Sequence, residues 1–347
     1  MSKSILFFLI VFLNIGCSAQ EETKFRVAFY NVENLFDIYD DSLCIDEEFL
    51  PDGAKFWTER KYNNKLGAIS KTIVGIGAWQ NIGLLALAEI ENRQVLEDLI
   101  SRPELKKQGL RILHKQSPDR RGIDVGILYD PKQITVTHTE FVKVMDHTNL
   151  KFKTRDMVYL KGSVFKKGEI HFFACHWPSR YGGQARSEPK RILAATILRA
   201  KIDSIQKTDP LARIIVMGDF NDEWNNKSLK YYLKAIPESN TKNDKQLLNL
   251  MCSLPQKLGS HKYQGEWAYL DQIIVNQRFA KNDSAKMYIS DFGIINLPFL
   301  VEEDVKYLGL RPKRTYIGYK YHGGFSDHLP IYLDIVRKPD HNDKRSK

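Results

Sequence analysis

Polar residues able to bind metal or move protons recur beside apolar stretches of strand length. Asn31 follows RVAFY, Glu89 follows LLALA, His176 follows IHFFAC, Asp219 and Asn221 follow IIVMG, and Asp327 with His328 precedes LPIYLDIV. Strand ends are where sites are built, because a rigid element there hands over to a loop. Taken singly, each residue has a plain structural role: Asn31 in a turn, Glu89 as a surface charge, His176 as a satisfied, partly buried histidine. Their joint occurrence points elsewhere. Carboxylates and an amide are hard oxygen ligands that suit Mg²⁺, Mn²⁺ or Ca²⁺ rather than zinc. Two histidines on further strand ends add a proton donor and a cationic or hydrogen-bonding clamp for a phosphoryl group.

The elements that must hold these residues can be read from hydrophobic patterning. Strands are expected at Phe25 to Tyr30, Ile82 to Ala88, Ile123 to Tyr129, Met157 to Phe165, Glu169 to Cys175, Arg213 to Met217, Leu270 to Val275 and Leu329 to Val336. A helix is expected over 189 to 207, with Pro189 in its first turn and Ala194, Leu198, Ile202 and Ile205 on one face. A second is expected from Tyr62 to Trp79. Strands outnumber helices and several follow one another directly, which favours mixed or antiparallel sheets with helices outside, a layered α/β sandwich.

Bulk properties narrow the setting. Residues 1 to 19 hold one Lys (Lys3), an apolar run from Ile5 to Leu13 and the small-residue stretch GCSA, the pattern of a secretion signal. The run is well short of the ~20 residues that span a bilayer. Cleavage has two readings, a lipidated Cys17 that would attach the protein to a membrane, or a small-x-small cut before Gln20. Both export the chain, to a secreted, periplasmic or outer-membrane destination. One domain is expected from 24 to 336, followed by a polar tail, RKPDHNDKRSK, at 337 to 347. Cys44, Cys175 and Cys252 are too few for a disulfide framework, leaving one Cys44 to Cys252 bridge or three thiols. The net charge of +10 predicts attraction to polyanions such as nucleic acid or acidic lipid surfaces; no protein partner is implied.

NVENLFD (31 to 37), ALAEIEN (86 to 92), GIDVGILYD (122 to 130), CHWPSRYGG (175 to 183), GDFND (218 to 222), LDQIIV (270 to 275) and SDHLPI (326 to 331) occur in this order. In that order and wording the chain resembles the endonuclease/exonuclease/phosphatase superfamily that includes deoxyribonuclease I. GDFND followed by SDHLPI is the most specific pair. The resemblance implies a four-layered αββα sandwich with two central mixed or antiparallel sheets and a metal-dependent phosphodiesterase site at one edge.

It also implies roles for matched positions. Glu89 corresponds to the principal metal ligand, Asn31 to a neighbouring metal or phosphate contact, and Asp327 to a second or shared metal position. Asp219 and Asn221 resemble the pair that orients and activates the attacking water. His328 would contact the scissile phosphate, with Asp271 favouring its protonated form. His176 would assist the leaving oxygen or the transition state. Arg180 is the preferred phosphate contact among the arginines near the motifs, the others being Arg121 and Arg186.

The wording of NVENLFD, EIEN and HWPSR is similar to bacterial extracellular nucleases, which makes DNA or RNA the expected substrate. Trp177, Tyr181, Tyr263 and Trp267 could stack on bases or simply pack. A sphingomyelinase-like or inositol-phosphatase-like enzyme is the alternative, the latter disfavoured by Gln272 where such enzymes carry arginine. A non-catalytic polyanion-binding lipoprotein is the reading of a different class. It would not need chemically competent residues at every matched position.

Overall fold

A strand covered on both faces needs apolar side chains at nearly every position, and the strand Lys24–Leu35 shows the consequence. Phe25, Val27 and Phe29 enter one hydrophobic cluster, while Ala28, Tyr30 and Val32 enter another on the opposite face. In this computed structural model, which describes residues 24–78, 81–166, 168–237, 245–255, 258–280 and 287–337, that arrangement is repeated in two sheets. The expected signal segment with Cys17, Trp79, and the tail beyond Arg337 lie outside the described residues.

The sheets are built from β1 (Lys24–Leu35), β2 (Leu84–Ile90), β3 (Arg111–Leu113), β4 (Asp124–Tyr129), β5 (Ile134–Val142), β6 (Met157–Val164), β7 (Gly168–His176), β8 (Ile214–Asp219), β9 (Ala235–Ile236), β10 (Leu247–Asn249), β11 (Asp271–Asn276), β12 (Met287–Ile294) and β13 (Ile331–Arg337). One sheet has the order β12-β13-β1-β2-β4-β3 and the other β5-β6-β7-β8-β11-β10-β9. Their facing sides share one core, including Phe29, Ala86, Phe172, Met217 and Ile273. Helix α1 (Glu59–Gly77) covers the first sheet through Leu66, Ile69, Ile73 and Ile76, with α2 (Arg93–Ile100) beside it. Helix α3 (Gln184–Thr208) covers the second through Ala194, Leu198 and Ile202. The result is a four-layered α/β sandwich.

Most neighbours in both sheets are antiparallel, and each sheet carries a parallel pair joined across its own long helix. These are β1 with β2 through α1, and β7 with β8 through α3. A parallel pair brings two carboxyl ends to the same edge, and here the two edges face each other.

Local outcomes differ from expectation in two places, and one of the two cysteine readings holds. Helix α3 begins at Gln184, so Pro189 lies inside it rather than in its first turn; the Ser187 hydroxyl and the Arg191 guanidinium donate to carbonyls of Gly183 and Gln184 at that end. Helix α1 starts at Glu59 and closes on Ala78, whose left-handed backbone (φ +48°) ends it. Cys44, Cys175 and Cys252 are all free thiols. Among the described residues no helix is long and apolar enough to cross a membrane.

Candidate active site

Strand register sets three of the side chains in one row. His176 at the end of β7 pairs with Asp219 at the end of β8, and Asp219 pairs with Asp271 at the start of β11. From the facing sheet, Asn31 reaches across and donates from Nδ2 to Asp219 Oδ2 at 3.1 Å. Glu89, at the end of β2, stands 3.9 Å from His176 Nε2 through Oε1 and accepts the Asn34 N–H at Oε2. The last strand then delivers His328, whose Nδ1 donates to Asp271 Oδ2 at 2.7 Å. All of the matched positions on these strands meet in one cleft.

The backbone departs from regular strand where the chemistry would be. The β1–β2 register shifts after Asn31, and the β2–β4 register shifts between Ala88 and Ile90. Glu89 sits in that shift with φ +63°, and Asn221 has φ +51°. Left-handed backbone outside glycine costs about 1–3 kcal/mol, and such residues cluster at sites whose surroundings hold them. Here the holding contacts are visible. The Asn221 N–H donates to Asp219 Oδ1 at 2.9 Å and its Nδ2 to the Trp177 carbonyl at 3.1 Å. Glu91 is buried and accepts the Asp37 N–H at 2.7 Å, anchoring the NVENLFD loop.

Burial and charge separate the protonation states of these groups. Burial pushes Asp219 up to about 7, with Asp271 and Glu89 adding to the effect and His328 opposing it. Burial disfavours the His328 cation, yet Asp271 and Asp219 outweigh it and hold the imidazole well above its ordinary value. His176 goes the opposite way, held well below by burial and by Arg155, Arg121 and His328. One histidine is therefore cationic at neutral pH and the other neutral. Asp327 resists burial because Arg314, His328 and His261 favour its charge, bringing it to about 2.

Several participants carried no sequence signal. Arg314 donates from Nη2 to Asp327 at 2.9 Å and from Nε to the buried Glu33 at 3.0 Å. Lys65 lies wholly buried in α1, with Nζ donating to the Thr315 hydroxyl and the Phe325 carbonyl, and burial lowers it to about 8. His261 stacks obliquely on His328, ring centroids 4.7 Å apart. These residues lie in a loop, on a helix face and at the start of the short hairpin strand His261–Tyr263, where no long apolar strand precedes them. The first two could have been sought only as cations buried against the acidic cluster.

Other residues in or beside the motifs have clear positions. Arg180 donates from Nε to the Asn221 carbonyl at 2.7 Å and lies 3.6 Å from Asp222, bracing the GDFND loop with a partly exposed guanidinium. Asp222 is buried against Arg191 Nε at 2.8 Å and accepts from Ser228, a structural role. Trp177 is core, edge-on to Phe220, whereas Tyr181 and Tyr263 are exposed. Gln272 is wholly buried and bonded to Asn249 and the Asp222 carbonyl, so it meets no substrate directly. Asp124 is likewise internal, bonded to His114 and Ser117. Arg121 and Arg186 are on the surface.

Among the described residues, two groups of side chains bring three metal-ligating atoms within 4.8 Å of one another: His261, Asp327 and His328 in this cleft, and Glu169, His171 and Asp209 at the far end of β7. The cleft also offers Glu89, which among the described residues has no lysine or arginine within ion-pair distance, its Oε1 facing only His176. A carboxylate so placed fits a hard divalent cation.

No curated protein matches the sequence. Among solved structures, similarity extends to an endonuclease/exonuclease/phosphatase family protein from Bacteroides thetaiotaomicron, at 13% identity and TM-score 0.57 over 92% of this chain and 98% of that one. D. rerio TDP2 complexed with single strand DNA product aligns at 12% identity and TM-score 0.55, covering 90% of this chain and 99% of the other. A mannosyl-6-phosphatase from Bacteroides thetaiotaomicron aligns at 14% identity and TM-score 0.55, with the same coverage. At these identities the likeness is one of fold, and none of the three is described as an extracellular nuclease. The family model named Endonuclease/Exonuclease/phosphatase family matches residues 26–337, nearly everything the two sheets comprise. With that match, the chain belongs to the endonuclease/exonuclease/phosphatase family, a phosphoesterase fold carrying side chains suited to a divalent metal.

Proposed function

We propose that this is an exported, metal-dependent phosphodiesterase that hydrolyses nucleic acid. The observation that carries the phosphodiesterase reading is the meeting of Asn31, Glu89, His176, Asp219 and the His328–Asp271 pair at facing strand ends. A divalent cation held by Glu89 with Asp327 and Asn31, Mg²⁺ before Mn²⁺ or Ca²⁺, would neutralise charge on the phosphate.

The chain's own groups supply the rest. Asp219, once ionised, accepts the proton of the attacking water, its two oxygens fixed by Asn31 and by the Asn221 N–H. With Nδ2 committed to Trp177, Asn221 keeps its Oδ1 to orient that water. Cationic His328 donates from Nε2 to a phosphoryl oxygen, with Nδ1 anchored on Asp271. Neutral His176 lies 3.6 Å from Asp219 on the other side and is assigned to the leaving oxygen or the transition state. Arg180 uses the guanidinium edge not committed to the GDFND loop to contact phosphate.

The polynucleotide reading is supported by a basic cleft that takes in Pro178, two residues after His176. It is lined by Arg120, Lys151, Lys153, Arg155 and Lys190, with Phe152, Pro178 and exposed Tyr181 between them, and no acidic residue. Arg155 is tied to Asp119 and to the Trp177 carbonyl, which also receives Asn221, so cleft and catalytic loop share one support. Cations with interleaved aromatics suit a phosphate backbone and its bases.

The test is incubation with supercoiled plasmid, RNA, sphingomyelin and an inositol phosphate in Mg²⁺. Plasmid or RNA cleavage is expected; turnover of lipid or inositol phosphate alone would overturn the nucleic-acid reading. Turnover of none would favour a non-catalytic polyanion binder. The export half rests on residues 1 to 19, and sequencing the mature N-terminus decides between lipidated Cys17 and Gln20.

A further inference from the structure

At the end of β7 remote from His176, His171 projects beside Glu169, two residues earlier on the same strand face, and Asp209, the residue that ends α3. One ligand atom from each lies within 4.8 Å of the others. The His171 side chain is 4% exposed, and its Nδ1 lies 2.8 Å from the Tyr159 hydroxyl. Its Nε2 is buried with no hydrogen-bond partner among the described residues; Glu169 Oε1, at 3.7 Å, is beyond hydrogen-bond reach. A buried polar atom without a partner costs about 1–3 kcal/mol, so its orientation toward two carboxylates calls for a cause.

We propose that Glu169, His171 and Asp209 form a second divalent-metal site, of transition-metal character, independent of the catalytic cleft. The imidazole distinguishes this set from the oxygen-rich cleft and suits zinc or a similar ion over Mg²⁺. Anchoring through Nδ1 by Tyr159 is the support that metal-binding histidines use to aim Nε2. Three protein ligands leave a fourth tetrahedral position for water. Asp209 Oδ1 accepts the Leu211 N–H at 2.9 Å, which leaves Oδ2 for the ion. Lys161 holds Glu169 Oε1 at 2.9 Å, so the ion takes the other oxygen or displaces the lysine.

The position gives the ion its role. Helix α3 is the crossover between β7 and β8, and Asp209 stands where it turns back toward β8. An ion shared by Asp209 and β7 fastens that crossover at the end opposite His176 and Asp219. His171 is five residues from His176, about 16 Å along the strand, too far to act on the same phosphate.

Chelator-stripped protein is titrated with zinc, recording stoichiometry by competition with a chromophoric chelator and thermal unfolding in parallel. Wild type is expected to bind one more zinc than Asp209→Asn or His171→Gln, and to show a zinc-dependent rise in Tm that both variants lose. Tyr159→Phe should keep the stoichiometry and weaken this zinc by about tenfold. Glu89→Gln, altered in the catalytic cleft, should retain the rise. Unchanged stoichiometry in folded Asp209→Asn, whose surface position spares the core, would overturn the site, as would a wild type whose Tm ignores zinc.

Discussion

Asn31 Nδ2 and Asp219 Oδ2 are joined at 3.1 Å, a bond between β1, where its pairing with β2 shifts register, and the end of β8 in the other sheet. The same Asn31 accepts the Glu33 N–H at Oδ1 and the Ser326 hydroxyl at its carbonyl, so one residue fixes both the NVENLFD turn and the SDHLPI turn against the GDFND strand. The two sheets are thereby tied by polar bonds beside Glu89, His176 and His328.

Asn31→Ala should cost about 1–3 kcal/mol in urea unfolding, because Asp219 and the Glu33 N–H each lose a buried partner. Turnover should fall by about a hundredfold with KM little changed, since the water-activating carboxylate loses its orientation. Loss of stability without loss of kcat would leave Asn31 a purely structural tie.

The Asp271–His328 pair gives a pH prediction. Asp219, at about 7, must be ionised to accept a proton, so activity should rise with pH through neutrality; His328, held above its ordinary value, gives the alkaline fall. Asp271→Asn removes the largest influence raising His328, and the alkaline limb should move to lower pH. His328→Ala should lower kcat by about 10²-fold to 10⁴-fold. In stability the sign follows from linkage: a raised histidine contributes fully below its unfolded value of about 6.5 and loses that contribution as pH rises through the folded value. The Tm deficit of Asp271→Asn should therefore be greatest near pH 6 and shrink in alkali.

Glu91 offers a check away from the reaction. Burial pushes its carboxyl up to about 8, so its protonated form stabilises the fold below the unfolded value and the benefit is lost as pH rises through 8. Glu91→Gln keeps an acceptor for the Asp37 N–H and cannot ionise. Its Tm relative to wild type should increase between pH 5 and pH 9; a constant difference would mean Glu91 is ionised throughout.

The basic cleft predicts a salt signature. Replacing Lys151, Lys153 and Lys190 together by alanine should weaken polynucleotide binding across all sequences and reduce the slope of log affinity against log salt by about three. Hydrolysis of a small chromogenic phosphodiester, too short to reach the cleft, should be unchanged. An equal loss on both substrates would place these lysines in folding rather than binding.

How much of this was legible in the sequence follows from where each residue sits. The eight strands expected from apolar runs are all present, because each is covered by a helix or by the opposite sheet and so cannot tolerate polar residues. The edge strands β3, β5, β9 and β12 escaped notice, as did β10, an inner strand of three residues. Strands β5 and β12 face solvent over much of their length and alternate irregularly, and β3 and β9 are only three and two residues long. The motif residues were visible as polar breaks at the ends of apolar strands. Arg314, Glu33 and Lys65 were not, since their pairing joins α1, the last part of β1 and a distant loop, which no local pattern connects. Of the two roles open to Trp177 in the sequence, stacking on bases or packing, it takes the second, buried edge-on to Phe220.

The central claim is that this cleft hydrolyses a phosphodiester through a cation held by Glu89. Its most direct test is plasmid and RNA cleavage by the purified protein and by Glu89→Gln, each assayed with Mg²⁺, after chelation, and after Mg²⁺ is restored. The account predicts cleavage by wild type that chelation abolishes and Mg²⁺ restores, with Glu89→Gln, correctly folded, reduced by at least about a hundredfold. Cleavage that persists in chelator, or a Glu89→Gln protein as active as wild type, would contradict it.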